Sequence, residues 1–139
     1  MGVSRNLRQF GLRMAVRASE VRSGAERVLK GAAFAGVFQA VNATPVKTGE
    51  ARGGWFITRG TPSSATTGRL DVTGAATIRE AEKEIARFKL PDGQLFLNNN
   101  VDHIEALDAG SSDQAPAGMT AGAIVASRAV VNRFRILDR

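Results

Sequence analysis

The first forty residues carry an apolar residue at every seventh position. These residues are Leu7, Met14, Val21, Val28 and Ala35, and Val3 and Phe10 lie three or four positions from members of this series. This spacing puts the side chains on one stripe of a helix. Arg17 and Gly24 interrupt the second apolar row, which argues against a sustained coiled coil. The pattern predicts a long helix that Pro45 ends and whose stripe packs against a sheet or a neighbouring subunit.

Two short segments further along are typical of strands. Residues 54–58 and 94–98 are rich in aromatic and aliphatic side chains, and the turn formers of residues 91–93 precede the second segment. The sequence predicts that they pair as an antiparallel sheet. One turn of helix is expected over residues 48–52, before the first strand.

Three further helices are predicted over residues 75–88, 101–109 and 121–137. The first has Thr73 as its predicted N-cap and an apolar face. That face comprises Ile78, Ala81, Ile85 and Phe88. The second turns Ile104 and Leu107 inward and places Asp102, Glu105 and Asp108 among its solvent positions, and the third carries Ile124, Ala129, Val131 and Phe134.

The loops complete an α+β fold in which a long N-terminal helix packs on a small antiparallel sheet with two or three further helices. Residues 60–74 are dominated by turn formers and predict a flexible loop or an extended arm. Residues 110–118 predict a second loop. The 139 residues fit a single domain, 1–139, and the absence of cysteine excludes disulfides, thiolate metal sites and cysteine nucleophiles.

Positive charge is concentrated at the N-terminus. Seven Lys or Arg against two Glu give residues 1–30 a net charge of 7 − 2 = +5, out of +6 for the whole chain. The arginines interrupt any apolar segment of a secretory signal, so we expect none. The most apolar stretch, residues 31–41, has about half the length of a membrane span, so no membrane partner is expected.

The sequence contains few side chains that could form a catalytic or metal-binding site. His103 has Asp102, Glu105 and Asp108 nearby, but neighbouring residues on a helix diverge and no second His or Cys exists, so we expect an ordinary, partly buried histidine. Ser111 and Ser112 lack a nucleophile turn, and phosphate-binding glycine motifs are missing. No catalytic residue, metal or cofactor is expected, and the chain is predicted not to be an enzyme.

The basic helix leaves a nucleic-acid role open. Arginines along a helix are typical of proteins that contact the phosphate backbone of DNA. Here they are spread around the helix instead of forming one stripe, and aromatic stacking positions are sparse. Direct DNA contact, a solvated helix surface and an acidic partner all remain compatible with them.

Two segments resemble a known family. The first, residues 43–55, contains Thr-Pro-Val-Lys-Thr-Gly at 44–49, followed after four residues by Gly54-Trp55. The second, residues 97–119, is Leu-Asn-Asn-Asn-Val-Asp-His-Ile-Glu-Ala-Leu-Asp-Ala-Gly-Ser-Ser-Asp-Gln-Ala-Pro-Ala-Gly-Met. They resemble Thr-Pro-Val-Asp-Thr-Gly-x-x-x-x-Ser-Trp and Asn-x-x-x-Tyr-Ala-x-x-(Leu/Ile)-Glu-x-Gly-(Thr/Ser)-Ser-x-Gln-Ala-Pro-x-Gly-Met of minor tail and neck proteins of tailed bacteriophages. This chain departs from that pattern at Lys47, Gly54, Asp108 and His103-Ile104, where the family has Tyr-Ala.

The resemblance implies a structural virion protein at the head–tail junction, similar in role to minor tail protein Z of phage lambda and assembled in the host cytoplasm. Such subunits form rings, commonly hexamers, through which genomic DNA passes. The implied partners are further copies of the chain, the head connector or head-closure protein, and the tail terminator or tail tube protein. An accessory DNA-binding or DNA-packaging protein is the alternative.

The resemblance also implies residue roles. The loop presented to a neighbouring subunit would comprise Gly110, Ser111, Ser112, Gln114, Pro116, Gly118 and Met119. The alternative for this loop is a tight turn whose capping roles are internal to one subunit. The residues that define the fold would be Pro45, Gly49, Trp55, Asn98 and Asp108, with Trp55 anchoring the core. Those facing a DNA channel would be Arg5, Arg8, Arg13 and Arg17.

Overall fold

The computed structural model describes the backbone of residues 2–137, and the side chains of Arg17 and residues 19–134. Within residues 2–137, five helices and two strands form in the predicted order. In chain order they are α1 (Gly2–Ala43), α2 (Glu50–Gly53), β1 (Phe56–Arg59), α3 (Ala75–Ala86), β2 (Leu95–Asn98), α4 (Ile104–Asp108) and α5 (Thr120–Leu137), with a single 3-10 turn at Leu90–Asp92 between α3 and β2. The predicted α+β fold is confirmed.

Two faces of α1 are covered by different parts of the domain. Val37, Ala40 and Val41 are almost fully buried in the core, together with side chains of the sheet and α3. The helix thus packs on the sheet as predicted, but not through the seven-residue stripe. Stripe members Val28 and Ala35 instead lie half-buried, within one helical turn of the residues that meet α5.

Small residues let α1 and α5 approach closely. The Ser127 hydroxyl of α5 donates a hydrogen bond to the Ala32 carbonyl of α1 at 2.8 Å. A Cβ added to Gly36 would lie 2.6 Å from that hydroxyl, and Gly122 of α5 lies against the side chain of Gln39. The helices therefore run antiparallel, with the start of α5 beside the C-terminal end of α1.

The two strands form an antiparallel sheet with Phe56 opposite Asn98 and Arg59 opposite Leu95. Side chains alternate between its faces, as strand geometry requires. One face turns inward and carries Trp55, Ile57, Leu95 and Leu97. The other face, which carries Asn98, is crossed by the segment that follows β1.

The apolar positions predicted by the spacing are buried: Ala81 and Ile85 of α3, and Phe88 just after its end, are each at most 5 % exposed. Among the described side chains of α5, residues 120–134, Ala123 is buried, whereas the larger Ile124 and Val131 are exposed. Within residues 2–137 no helix is long and apolar enough to cross a membrane.

Candidate assembly interface

The Thr-Pro-Val segment, residues 44–46, connects the end of α1 to the sheet through hydrogen bonds of Thr44. Thr44, just before Pro45, is 1 % exposed, and its hydroxyl donates to the Ala40 carbonyl at 2.5 Å. The same hydroxyl accepts the indole N–H of Trp55 at 2.7 Å. Trp55 therefore occupies the core position predicted for it, and the only polar atom of its side chain is satisfied by Thr44, the residue directly after α1.

Gly49 forms the turn between α1 and α2. Its φ of +87° is a left-handed conformation that glycine adopts without strain. Its carbonyl accepts hydrogen bonds from the backbone N–H groups of Gly53 at 2.8 Å and Asp71 at 3.0 Å. These bonds join α2 to the segment before α3. The close approach requires glycine, because an added Cβ would lie 2.7 Å from the Asp71 nitrogen.

Arg52 links the end of α1 to the segment before α3, a role that was not predicted from the sequence. Its guanidinium donates to the Val72 carbonyl at 2.7 Å and to the Thr44 carbonyl at 2.9 Å, with a longer bond of 3.4 Å to the Asn42 carbonyl. It thereby supplies donors to carbonyls at the C-terminal end of α1, which have no partner within the helix. A cation near a helix C-terminus is also electrostatically favourable.

Asp71, and not Thr73, is the main cap of α3. The Asp71 carboxylate accepts from the backbone N–H groups of Gly74 at 3.0 Å and Thr77 at 2.8 Å, and from the Thr77 hydroxyl at 2.7 Å. Thr73 contributes one bond, accepted from the N–H of Ala75 at 3.3 Å. The prediction of Thr73 as the N-cap was therefore wrong. The structure instead places the Asp71 carboxylate within hydrogen-bond distance of N–H groups at the start of α3.

The Asp71 carboxyl has a pKa below its usual value. Burial alone would raise this pKa, because it disfavours the charged form. Hydrogen bonds from Thr77, Gly74 and Thr73 to the carboxylate oppose that effect and outweigh it. Asp71 is therefore held as a carboxylate at the positive end of α3.

Asparagines at the end of β2 bind the segment of residues 60–74, which has no helix or strand. The Asn98 side-chain Oδ1 accepts from the Ser63 backbone N–H at 3.1 Å, and its Nδ2 donates to the Thr58 hydroxyl at 3.0 Å. The Asn100 amide donates to the carbonyls of Ser63 at 2.8 Å and Ala65 at 2.7 Å. The predicted loop or arm is thus hydrogen-bonded, through Ser63 and Ala65, to the chain at the end of β2.

Asp108 caps α5 instead of lying at a solvent position. Its carboxylate accepts from the backbone N–H groups of Met119 and Thr120, both at 2.8 Å. The N–H of Thr120 is the largest cause of a lowered pKa at this carboxyl; burial opposes it and the N–H of Met119 adds to it. A short acidic side chain therefore joins α4 directly to the start of α5.

The Gln-Ala-Pro loop is bound to the Thr-Pro-Val segment. The Gln114 side chain accepts from the Val46 N–H at 2.9 Å and donates to the Val46 carbonyl at 3.3 Å. Gly118, at φ +75°, lies so close to the Asp108 carbonyl that an added Cβ would clash with it. The two segments that carry the family resemblance therefore meet in one place.

The predicted interface residues differ in exposure. Met119 is fully buried, so its packing is internal to the subunit and it is not part of a surface offered to a neighbour. Gly110, Ser112 and Gly118 are half-buried. The residues left facing solvent are Ser111, Gln114 and Pro116.

His103 immediately precedes α4 and is exposed, which corrects the partly buried position expected for it. In the part of the chain with described side chains, no three His, Asp or Glu side chains converge in a way that could hold a metal ion.

Large apolar side chains are exposed on both long helices. On α5, Val125 is 67 % and Ile124 45 % exposed, and on α1 Phe38 is 51 % exposed, 6.1 Å between ring centroids from Phe34. Ile124 also borders an open, mostly apolar groove of about 340 Å³ between α5 and the sheet. A single exposed apolar residue is common, but several on adjoining elements are typical of surfaces that bind protein.

The candidate DNA-channel residues are only partly described. The side chains of Arg5, Arg8 and Arg13 lie outside the described residues. The Arg17 side chain is 79 % exposed and lies 3.9 Å from the Glu20 carboxylate, a weak surface pair. Arg22 and Arg27 are also exposed.

Comparisons of this chain with protein-family models, with curated proteins and with solved structures found no match.

Proposed function

We propose that this protein is a non-enzymatic structural subunit of a tailed-phage virion, which forms a ring at the head–tail junction. The observation that carries the proposal is the pairing of Gln114 with both backbone groups of Val46. It joins the two segments whose order and spacing resemble the phage family, although they are far apart in the sequence. Segments that each resemble a family motif and also bind each other support reading them as one structural unit rather than as two chance similarities.

The surface around this junction supports an assembly role. Ser111 and Pro116 project from a loop whose ends are fixed by Asp108, and α5 exposes Ile124 and Val125 close to the same end. A rigid loop beside apolar side chains can bind protein with little loss of conformational entropy. Head-to-tail contacts of this kind close into a ring when the rotation between subunits allows it.

In this proposal the ring lies between the head connector or head-closure protein and the tail terminator or tail tube protein. Its lumen passes the genomic DNA, and the protein is assembled in the host cytoplasm before it becomes part of the virion. Arginines of α1 that no neighbouring subunit covers lie near the DNA, where dispersed positive charge attracts the phosphates without reading sequence.

A second candidate is an accessory DNA-binding protein. The exposure of Arg17, Arg22 and Arg27, within a stretch of net charge +5, favours it. The isolated subunit would then bind duplex DNA with an affinity that falls steeply as salt is raised.

Light scattering during size-exclusion chromatography separates the two candidates. A ring-sized species, and restored joining of heads to tails in an extract of a phage mutant lacking this protein, are expected for a neck subunit. A strict monomer that restores no joining and binds DNA with a steep salt dependence would instead support the accessory DNA-binding protein.

A further inference from the structure

The long helix α1 extends past the part of the domain that covers it. Arg17 and residues 19–23 are all exposed, and because they span more than one turn, no side of the helix is covered there by described residues. Val21, on the seven-residue stripe, is 65 % exposed, whereas Val28 on the same stripe is half-buried. The apolar stripe is thus partly covered at Val28 and uncovered one heptad earlier, at Val21.

We name residues 2–23 of α1 the basic stretch. At about 1.5 Å per residue, its 22 residues extend roughly 33 Å. The sequence gives it five arginines, Arg5, Arg8, Arg13, Arg17 and Arg22, against the single acid Glu20. A helical stretch with an apolar stripe and strong positive charge needs a partner that offers both apolar surface and negative charge.

Opposite charge is concentrated in another part of the chain. Residues 90–127 contain five acidic residues and neither Lys nor Arg, so their net charge is 0 − 5 = −5. We name as the acidic end the exposed residues Asp102, Glu105 and Asp113, together with the exposed apolar residues Ile124 and Val125. Asp108, bound to the first residues of α5, holds these parts together.

The two charged regions of one subunit cannot meet each other. The start of α5 lies beside Gln39, at the C-terminal end of α1. Residue 23, where the basic stretch ends, lies sixteen residues before Gln39, about 24 Å along a rigid helix, and the basic stretch runs away from that point. Each region must therefore find its complement on another molecule.

We infer that the basic stretch of one copy docks on the acidic end of the next copy. Charge complementarity selects this partner, because two basic stretches repel each other and DNA offers no apolar side chains to cover the stripe around Val21. The contact is head-to-tail, as a closed ring requires. This inference rests on the proposed ring-forming function and assigns to it the surfaces that meet.

Charge reversal in the full-length protein tests the contact. One variant carries Arg17→Glu with Arg22→Glu, a second carries Asp102→Lys with Glu105→Lys, and a third carries all four changes. All four side chains are exposed, and neither Asp102 nor Glu105 makes a side-chain hydrogen bond to a described residue. Arg79→Glu and Glu82→Lys, at exposed positions of α3, are the matched controls.

Sedimentation and light scattering near physiological ionic strength give the result. Each of the first two variants should assemble at least about tenfold more weakly than the wild type, because several attractive surface pairs become repulsive. The variant that carries all four substitutions should regain assembly, and so should an equal mixture of the first two variants. The α3 controls should assemble like the wild type. Circular dichroism should show that every variant remains folded.

The outcomes separate the two proposals. Rings that survive both reversals, or a fourfold variant no better than the first two, overturn the docking contact and leave the ring function standing. A wild-type chain that stays monomeric and restores no joining of heads to tails overturns both. Loss of DNA binding in the arginine variant with assembly unchanged assigns the basic stretch to DNA and also overturns the contact.

Discussion

The indole N–H of Trp55 donates a hydrogen bond to the Thr44 hydroxyl at 2.7 Å, deep in the core. The same Thr44 hydroxyl donates a second hydrogen bond, to the Ala40 carbonyl in the last turn of α1. The largest side chain of the protein and the end of its longest helix are thus fixed to each other. A buried donor that loses its acceptor costs more than an average hydrogen bond contributes.

Replacement of Thr44 by valine tests this pair. Thr44→Val keeps the side-chain shape but leaves the Trp55 N–H without an acceptor, so we expect the free energy of unfolding to fall by about 1–3 kcal/mol. Thr44→Ser, which keeps the hydroxyl and loses a methyl group, should cost about 1 kcal/mol. Urea unfolding measures both, and a valine variant as stable as the serine variant would argue against the role of this bond.

Asp71 should make stability depend on pH. Its folded-state pKa lies below the ordinary value of 3.8 of the unfolded chain, so its contribution is present above that value and is lost as pH falls through the folded-state pKa. Asp71→Asn turns an amide nitrogen toward N–H donors at the start of α3. We expect it to cost about 1–2 kcal/mol at neutral pH and to flatten the loss of stability in acid.

Unfolding of this variant should be followed by urea titration from neutral pH to below pH 3.8. Asp102→Asn is the matched control, because this side chain is exposed. The control should stay within about 0.5 kcal/mol of the wild type. Equal acid sensitivity of the wild type and Asp71→Asn would show that other groups determine the pH dependence.

Gly118→Ala should be among the most damaging small substitutions in this protein. The residue has φ +75° and its Cβ would strike the Asp108 carbonyl, so both strain and a steric clash oppose the change. We expect a loss of about 3 kcal/mol or more in the free energy of unfolding. Gly68→Ala is the control, since its φ is +65° but nothing lies within 4 Å of the added Cβ.

The difference between these two glycine variants isolates the clash from the backbone strain. Gly68→Ala should lose only about 1–2 kcal/mol, the cost of a left-handed conformation for a residue with a Cβ. Thermal or urea unfolding provides both values. Equal losses would mean that the contact between Gly118 and Asp108 adds nothing beyond strain.

Ser111→Arg tests the candidate interface loop under the proposed ring function. The side chain is exposed, so the fold should tolerate arginine with a change in unfolding free energy within about 0.5 kcal/mol. If the loop contacts a neighbour, the bulky side chain should weaken assembly at least about tenfold, a loss typical of a disrupted contact residue. Ser64→Arg, on the exposed part of the segment after β1, should assemble like the wild type. Equal assembly of both variants would place Ser111 outside the interface.

Local pattern was enough to predict most elements of the fold. The spacing of apolar residues in α1 and α3 reports which residues can share a helix face, and Pro45 fixes where α1 must end. Aromatic and aliphatic runs indicated β1 and β2, and their antiparallel pairing is confirmed. These properties depend on residues close together in the sequence, so no knowledge of the fold was needed.

Local pattern could not select the buried face of α5. Ile124 is more apolar than Ala123, yet Ala123 is 7 % and Ile124 45 % exposed. The reason is the close approach of α1 and α5 at Gly36, where the contact accommodates only a small side chain. How close two helices come depends on both surfaces together, which neither helix's periodicity contains.

The sequence by itself determined the helices, the strand pair, the buried Trp55 and the separation of positive from negative charge along the chain. Only the tertiary structure decided that Asp71 and Asp108 cap helices and that Gln114 binds Val46. The physical reason is that helix ends and loop backbones need hydrogen-bond partners from whichever chain segment folding brings near. Such partners are defined by three-dimensional proximity, and a linear pattern does not record it.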